Sequence, residues 1–285
     1  MPKITDVRST VWEWVGPVAP MPPHFCTTAA DLVEDVTGSI AGFRFLGWLV
    51  VEVTLDDGTV GLGNAALAPH ATKTVVDTYL RPLLIGADVM DTEHLWQSMY
   101  RRTLPWGRKG VGMTAISAVD LALWDAKGKV LGQPVFRLLG GRTKARIPVY
   151  ASRLYAQPLD DLRREARAYA AQGFKAVKIR FGWGPRDGLE GMRRNVELVE
   201  ATRDAVGPDV DIMADAYMGW TVEYARRMLR MLAPHGLRWV EEPVVADDLL
   251  GYAELRALSH VAISGGEHEY TLAGFRHALD LRAYD

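Results

Sequence analysis

The sequence predicts an α/β protein of two domains: an α+β domain over residues 1–140, and a parallel strand–helix array of the barrel type over 141–285. Three observations carry this. A hairpin pattern over 48–61 is followed by helix-length segments. After Gly140-Gly141, strand-length apolar runs alternate with helix-length ones. Three of those runs lead to acids at equal intervals, since Asp215, Glu241 and Glu267 stand 26 residues apart.

The first domain opens on a strand-like run over 4–11 and passes through Pro17, Pro20, Pro22 and Pro23. It then enters the apolar run 48–55, which turns at Asp56-Asp57-Gly58 and resumes at 59–61. Helical patterns follow over 71–84, 91–102 and 113–130. In the last, Ile116, Val119 and Leu123 share a stripe, and Ala115, Ala118 and Ala122 are small enough for close packing. The second domain places strands near 147–151, 176–180, 211–215, 237–241 and 262–266, with helices over 159–172, 188–206, 221–233 and 249–259. A closed barrel of this kind needs eight strands. Five precede Asp285, so the array is either an open sheet or the N-terminal piece of a longer protein.

Composition narrows the partners. The chain has 285 residues, 48% of them hydrophobic, and a formal charge of −2 from 33 basic and 35 acidic residues. That balance gives no field to gather nucleic acid or an anionic membrane, so a small-molecule substrate is expected. Cys26 has no partner in the chain, which points to a reducing compartment, and it reads as a small apolar residue before a nucleophile. The start, Met1-Pro-Lys-Ile-Thr-Asp, lacks a charged leader with an apolar core, and no run spans a bilayer. A soluble cytoplasmic protein is expected.

Acids at the C-terminal ends of parallel strands converge on one face. Asp215, Glu241 and Glu267 together therefore suggest one metal site of hard oxygen ligands, which suits Mg²⁺. Singly, each acid reads better as a helix N-cap or loop residue. Lys178 and Arg180 stand at i and i+2 of a strand and share a face, either the barrel interior or an exposed edge. Trp183, in the Gly-rich loop Phe181-Gly-Trp-Gly-Pro185, either lines a pocket or packs on the barrel rim.

Ser117-Ala-Val-Asp-Leu-Ala-Leu-Trp-Asp125, Gly132-Gln-Pro, Leu138-Leu-Gly-Gly141, Val177-Lys-Ile-Arg180, Asp215, Trp239-Val-Glu-Glu-Pro243 and Ser264-Gly-Gly-Glu-His268 form a set. The set resembles the enolase superfamily, in its mandelate racemase-like branch and among its acid-sugar dehydratases of the rhamnonate type. The resemblance covers essentially the whole chain. It implies an N-terminal capping domain over a modified TIM barrel, (β/α)7β, here cut after about five strands. It also implies Mg²⁺ held by Asp215, Glu241 and Glu267, with Glu242 as a neighbouring interior partner.

The chemistry implied is abstraction of the proton next to a substrate carboxylate, giving an enediolate, and then loss of water to a 2-keto-3-deoxy acid. Lys178 matches a carboxylate-contacting Lys. Arg180 replaces a Lys that serves other members as a base, which favours a dehydratase over a two-base racemase or epimerase. His268 matches a His near the substrate. His24 and Arg44 are candidate substrate contacts from the capping domain, Arg44 because a guanidinium grips a carboxylate in bidentate fashion. The family's usual base, a His after the seventh strand, falls beyond Asp285. A non-catalytic remnant therefore stands beside the enzyme readings, and the branch implies a homo-oligomer acting on a sugar acid.

Overall fold

The computed structural model describes residues 2–17, 22, 24–33 and 46–285, so Arg44 lies outside the described residues. They form two compact units, one of residues 2–17 and 46–146, the other of 22–33 and 147–285.

In the first unit, β1 (Ile4–Glu13), β2 (Gly47–Leu55) and β3 (Val60–Ala65) form an antiparallel sheet in that order. The strict alternation in β2 buries Leu49, Val51, Val53 and Leu55 on one face, as a half-wet sheet requires. Five helices follow. The segment read as one helix over 71–84 is α1 (Pro69–Val75) and α2 (Arg81–Leu84) joined by a π-helical turn. Next come α3 (Thr92–Thr103), α4 (Val111–Val130) and a short α5 (Val135–Leu138) that the sequence reading lacks.

The α4 helix carries the core of this unit. Ile116, Val119 and Leu123 are buried, each contributing roughly 1.5–3 kcal/mol. Its small residues let β3 approach the helix backbone. A Cβ on Gly61 would overlap the Ala122 carbonyl oxygen, and one on Gly63 the Ala118 carbonyl oxygen.

The second unit is a parallel sheet, β4 (Ala151–Leu154), β5 (Ala176–Arg180), β6 (Asp211–Asp215), β7 (Trp239–Glu241) and β8 (Ala262–Ser264), ordered as in sequence. The helices α6 (Leu159–Ala171), α7 (Gly188–Val206), α8 (Val222–Leu232) and α9 (Leu249–Leu258) connect them, and α10 (Thr271–Asp280) follows β8. Thr221 and Asp248 cap α8 and α9, accepting from the Tyr224 and Gly251 amides at 3.3 and 2.9 Å. Among the described residues this is a barrel sheet of five strands. No described helix is long and apolar enough to cross a membrane.

Elements of the second unit also differ from the sequence reading. The predicted strand 147–151 is displaced to Ala151–Leu154, and Ile147 and Val149 are exposed. Pro148 lies between them and has no amide for a ladder, and the alternation that suggested a strand continues past it. The strand predicted from 237 begins only at Trp239. The α10 helix was missed because Gly274 interrupts it and its Leu272 and Leu279 face outward, which hides the buried stripe.

The sheet's two faces have opposite chemistry. Val177, Ile179, Ile212, Ala214, Val240 and Ile263 belong to the apolar core under the helices. The alternate positions put Lys178, Arg180, Asp215 and Glu241 on the other face. Ladder register aligns Arg180 with Asp215, Asp215 with Glu241, and Glu241 with Ser264.

Two outcomes are expected. Gly63→Ala should cost about 2–3 kcal/mol by overpacking, read as a lowered denaturation midpoint; an unchanged midpoint would sink the close-approach account. Burial first, and Glu93 second, push the Asp120 carboxyl on α4 up to about 6 from 3.8. The folded state thus binds the extra proton between those values, so stability increases as pH falls through that window. Asp120→Asn should stabilise by roughly 1–2 kcal/mol at pH 8, with the gain fading by pH 4; equal gains at both pH values would contradict it.

Candidate metal centre and its mouth

The interior face is built around one lysine. Lys178 Nζ lies 2.6 Å from Glu241 Oε1 and 3.1 Å from Asp215 Oδ2, and Arg180 Nη1 is also 3.1 Å from Asp215 Oδ2. Arg180, Asp215 and Glu241 sit at strand ends, where parallel register brings them into one row, and Lys178 stands two residues back on β5. Burial alone would lower both cations. Asp215 and, for Lys178, Glu241 outweigh it and hold them above their usual values. Burial raises the Asp215 carboxyl despite its two cations.

The remaining oxygens are oriented by neighbours. Tyr217 N–H donates to Asp215 Oδ1 at 2.9 Å, and Trp239 Nε1 donates to Glu241 Oε2 at 3.1 Å. Asp215 Oδ2 is buried and, among the described residues, accepts no hydrogen bond, although both cations stand at ion-pair distance. A buried acceptor in that state, in an all-oxygen set, fits a hard divalent cation.

Glu267 does not share this arrangement. It is three residues past the end of β8, after Gly265-Gly266, and Ser264 occupies the ladder position level with Glu241. The equal sequence interval therefore does not translate into equal depth. Its side chain is about half exposed, and its ligand atoms group with Glu242 and His268. Burial, then Glu242 and Asp215, raise its carboxyl.

Glu242 enters the interior by a different route. Strand alternation would turn it away from Glu241, but its backbone is left-handed, φ 42°. That conformation costs of order 1–3 kcal/mol and survives only where neighbours enforce it. Here the Glu242 amide donates to Ser264 O at 2.9 Å, and Met218 N–H donates to Glu242 O at 2.7 Å. The carboxylate receives His268 Nδ1–H at 2.8 and 2.9 Å. That hydrogen bond, against partial burial, raises the imidazole.

Residues 24–28 cross the ends of β4, β5 and β6. Thr27 N–H donates to Phe181 O at 2.8 Å, Thr27 Oγ1–H to Ala216 O at 2.7 Å, and Ala156 N–H to Phe25 O at 3.1 Å. This puts His24 at the mouth, where it donates from Nδ1 to Gly182 O at 3.2 Å and stacks on Trp183 with ring centroids 5.4 Å apart. Cys26, itself part of this strap, is buried, its thiol pushed up to about 12 by burial.

Sequence reasoning missed three residues here. Asn195, fully buried in α7, accepts from the Gly182 and Trp183 amides at 3.2 and 3.3 Å and donates to Trp183 O at 2.8 Å, fixing the loop. A buried amide in an amphipathic helix was its only signal. Tyr217, also left-handed at φ 43°, sets its ring 5.1 Å from the Arg180 guanidinium and 5.2 Å from the His268 ring. Burial raises its hydroxyl to about 12. Trp239 could be found only from its ladder position.

Comparison with known proteins bears on the same two units. Residues 39–140 match the model of the mandelate racemase / muconate lactonizing enzyme N-terminal domain, and 161–285 match the enolase C-terminal domain-like model. The chain belongs to the enolase superfamily. An L-rhamnonate dehydratase of Saccharopolyspora erythraea is 40% identical over 261 residues, 90% of this chain and 64% of the relative. A 3,6-anhydro-alpha-L-galactonate cycloisomerase of Streptomyces coelicolor is 38% identical, over 87% of this chain and 67% of the relative. The crystal structure of rhamnonate dehydratase from Gibberella zeae complexed with Mg gives a TM-score of 0.85 at 34% identity, over 100% of this chain and 70% of that one. This superfamily member thus spans about two thirds of the proteins it resembles.

Lys178→Met should lower unfolding stability by about 3–5 kcal/mol, because it leaves two buried carboxylates without their ammonium. Chemical denaturation of the metal-free chain is the measurement, and a change under about 1 kcal/mol would refute the central role given to Lys178.

Proposed function

We propose that this chain is a Mg²⁺-dependent acid-sugar dehydratase, acting on an aldonate such as L-rhamnonate to give a 2-keto-3-deoxy acid. The observation that supports it most is the buried row of Arg180, Asp215 and Glu241 with Lys178 between the acids.

Asp215, Glu241 and Glu267 would hold Mg²⁺, Glu267 swinging in from its half-exposed position. When bound, the ion supplies positive charge to the substrate's carboxylate oxygens as the neighbouring proton leaves. Lys178 and Arg180 add fixed positive charge on the same face, where the enediolate carries two negative oxygens. Arg180 binds and orients and does not remove the proton, since Asp215 keeps it protonated. His268, held by Glu242 and edged by Tyr217, is the group placed to exchange a proton with the substrate. His24 and Trp183 form a flat aromatic wall at the mouth for the polyol chain. Arg44 belongs to this proposal as a carboxylate grip, on its sequence position alone. A homo-oligomer is part of the same reading.

Incubation of the native protein that contains this chain with Mg²⁺ and a panel of aldonates should yield 2-keto-3-deoxy acid, abolished by chelation and reduced at least about 100-fold by Lys178→Met. Exchange of the α-hydrogen in D₂O without loss of water would transfer the proposal to a racemase or epimerase. Neither exchange nor product would leave a non-catalytic remnant that has kept its charged interior.

A further inference from the structure

We propose that Glu242, Glu267 and His268 form a second cation position, one that takes a borderline divalent ion such as Co²⁺, Zn²⁺ or Mn²⁺. It shares Glu267 with the oxygen set of Asp215 and Glu241 and does not depend on the dehydratase reading.

The three side chains offer one ligand atom each, and these lie within 4.8 Å of one another. Nδ1 of His268 faces both Glu242 oxygens at 2.8 and 2.9 Å and Glu267 Oε1 at 4.0 Å. An ion with bonds near 2.1 Å separates its ligand atoms by about 3.0–3.4 Å. The edge between Glu242 and His268 therefore opens by only a few tenths of an ångström. The Glu267 edge closes by roughly 1 Å, and its half-exposed side chain can rotate with little repacking.

Two of the three ligands are already fixed. Glu242 is 2% exposed at its side chain, and its strained backbone is pinned by Met218, in the loop after β6, and by Ser264 of β8. The His268 ring is held edge-on by Tyr217. Preorganised ligands of this kind lower the ordering cost of binding.

Ligand type separates the two positions. Asp215, Glu241 and Glu267 offer oxygen only, which suits Mg²⁺. An imidazole beside two carboxylates favours first-row ions, which accept nitrogen more readily. Because Glu267 serves both sets, filling one position weakens the other.

The test uses Mn²⁺, which both sets accept, added to the full chain and followed by pulsed EPR and by titration of free Mn²⁺. The expected result is hyperfine coupling from a directly bound imidazole nitrogen. His268→Gln should remove that coupling and leave only Mn²⁺ held by oxygens, whereas Asp215→Asn should keep the coupling. Glu242→Gln, which retains a hydrogen bond to His268, should weaken binding without unfolding and so controls for loss of structure. Mn²⁺ bound without nitrogen coupling and lost in Asp215→Asn would overturn this inference and leave the oxygen site intact. No Mn²⁺ binding at all would overturn both.

Discussion

A single ammonium, Lys178, lies between two buried carboxylates, and the interior of the second unit depends on it. Its side chain is 5% exposed and that of Asp215 is 1% exposed. Two acids so placed repel each other, and the ammonium between them offsets that repulsion. An apolar cluster of equal volume would be as stable or more so. A charged interior on a sheet whose other face is uniformly apolar is thus explained by chemistry performed there better than by folding.

Most of the scaffold was legible in the sequence because its signals are local. Strands 176–180 and 211–215 and the helix 188–206 coincide with the observed elements, since each is a clean apolar run or stripe bounded by Gly or by polar residues. The small residues read on α4 as allowing close packing do meet Gly61 and Gly63. What the sequence hid depends on backbone angle and on distant partners. Glu242 was read as an interior partner, but nothing in Glu241-Glu242-Pro243 announces the left-handed backbone that brings it to His268. Equal spacing of three acids implied equal depth, yet two extra glycines place Glu267 beyond the ladder.

The charged row and the mouth draw on different means of support. Asp215, Glu241, Lys178 and Arg180 stand on strands whose register is set by the ladder, so their separations are as rigid as the sheet. His24, Trp183, Tyr217 and His268 stand on loops held by single side chains, Asn195 and Glu242 above all. A site built in this manner separates the tasks: the strands fix where charge gathers, and the loops decide what may approach it.

The strap of residues 24–28 has a consequence for how the protein comes into being. Thr27 is joined to Phe181 and Ala216, partners 154 and 189 residues further along the chain. During synthesis at 5–20 residues per second, Thr27 leaves the ribosome roughly 10–40 s before Ala216 exists to receive it. The strap therefore cannot be fastened until Ala216 has been made, although its own residues are among the first to be synthesised.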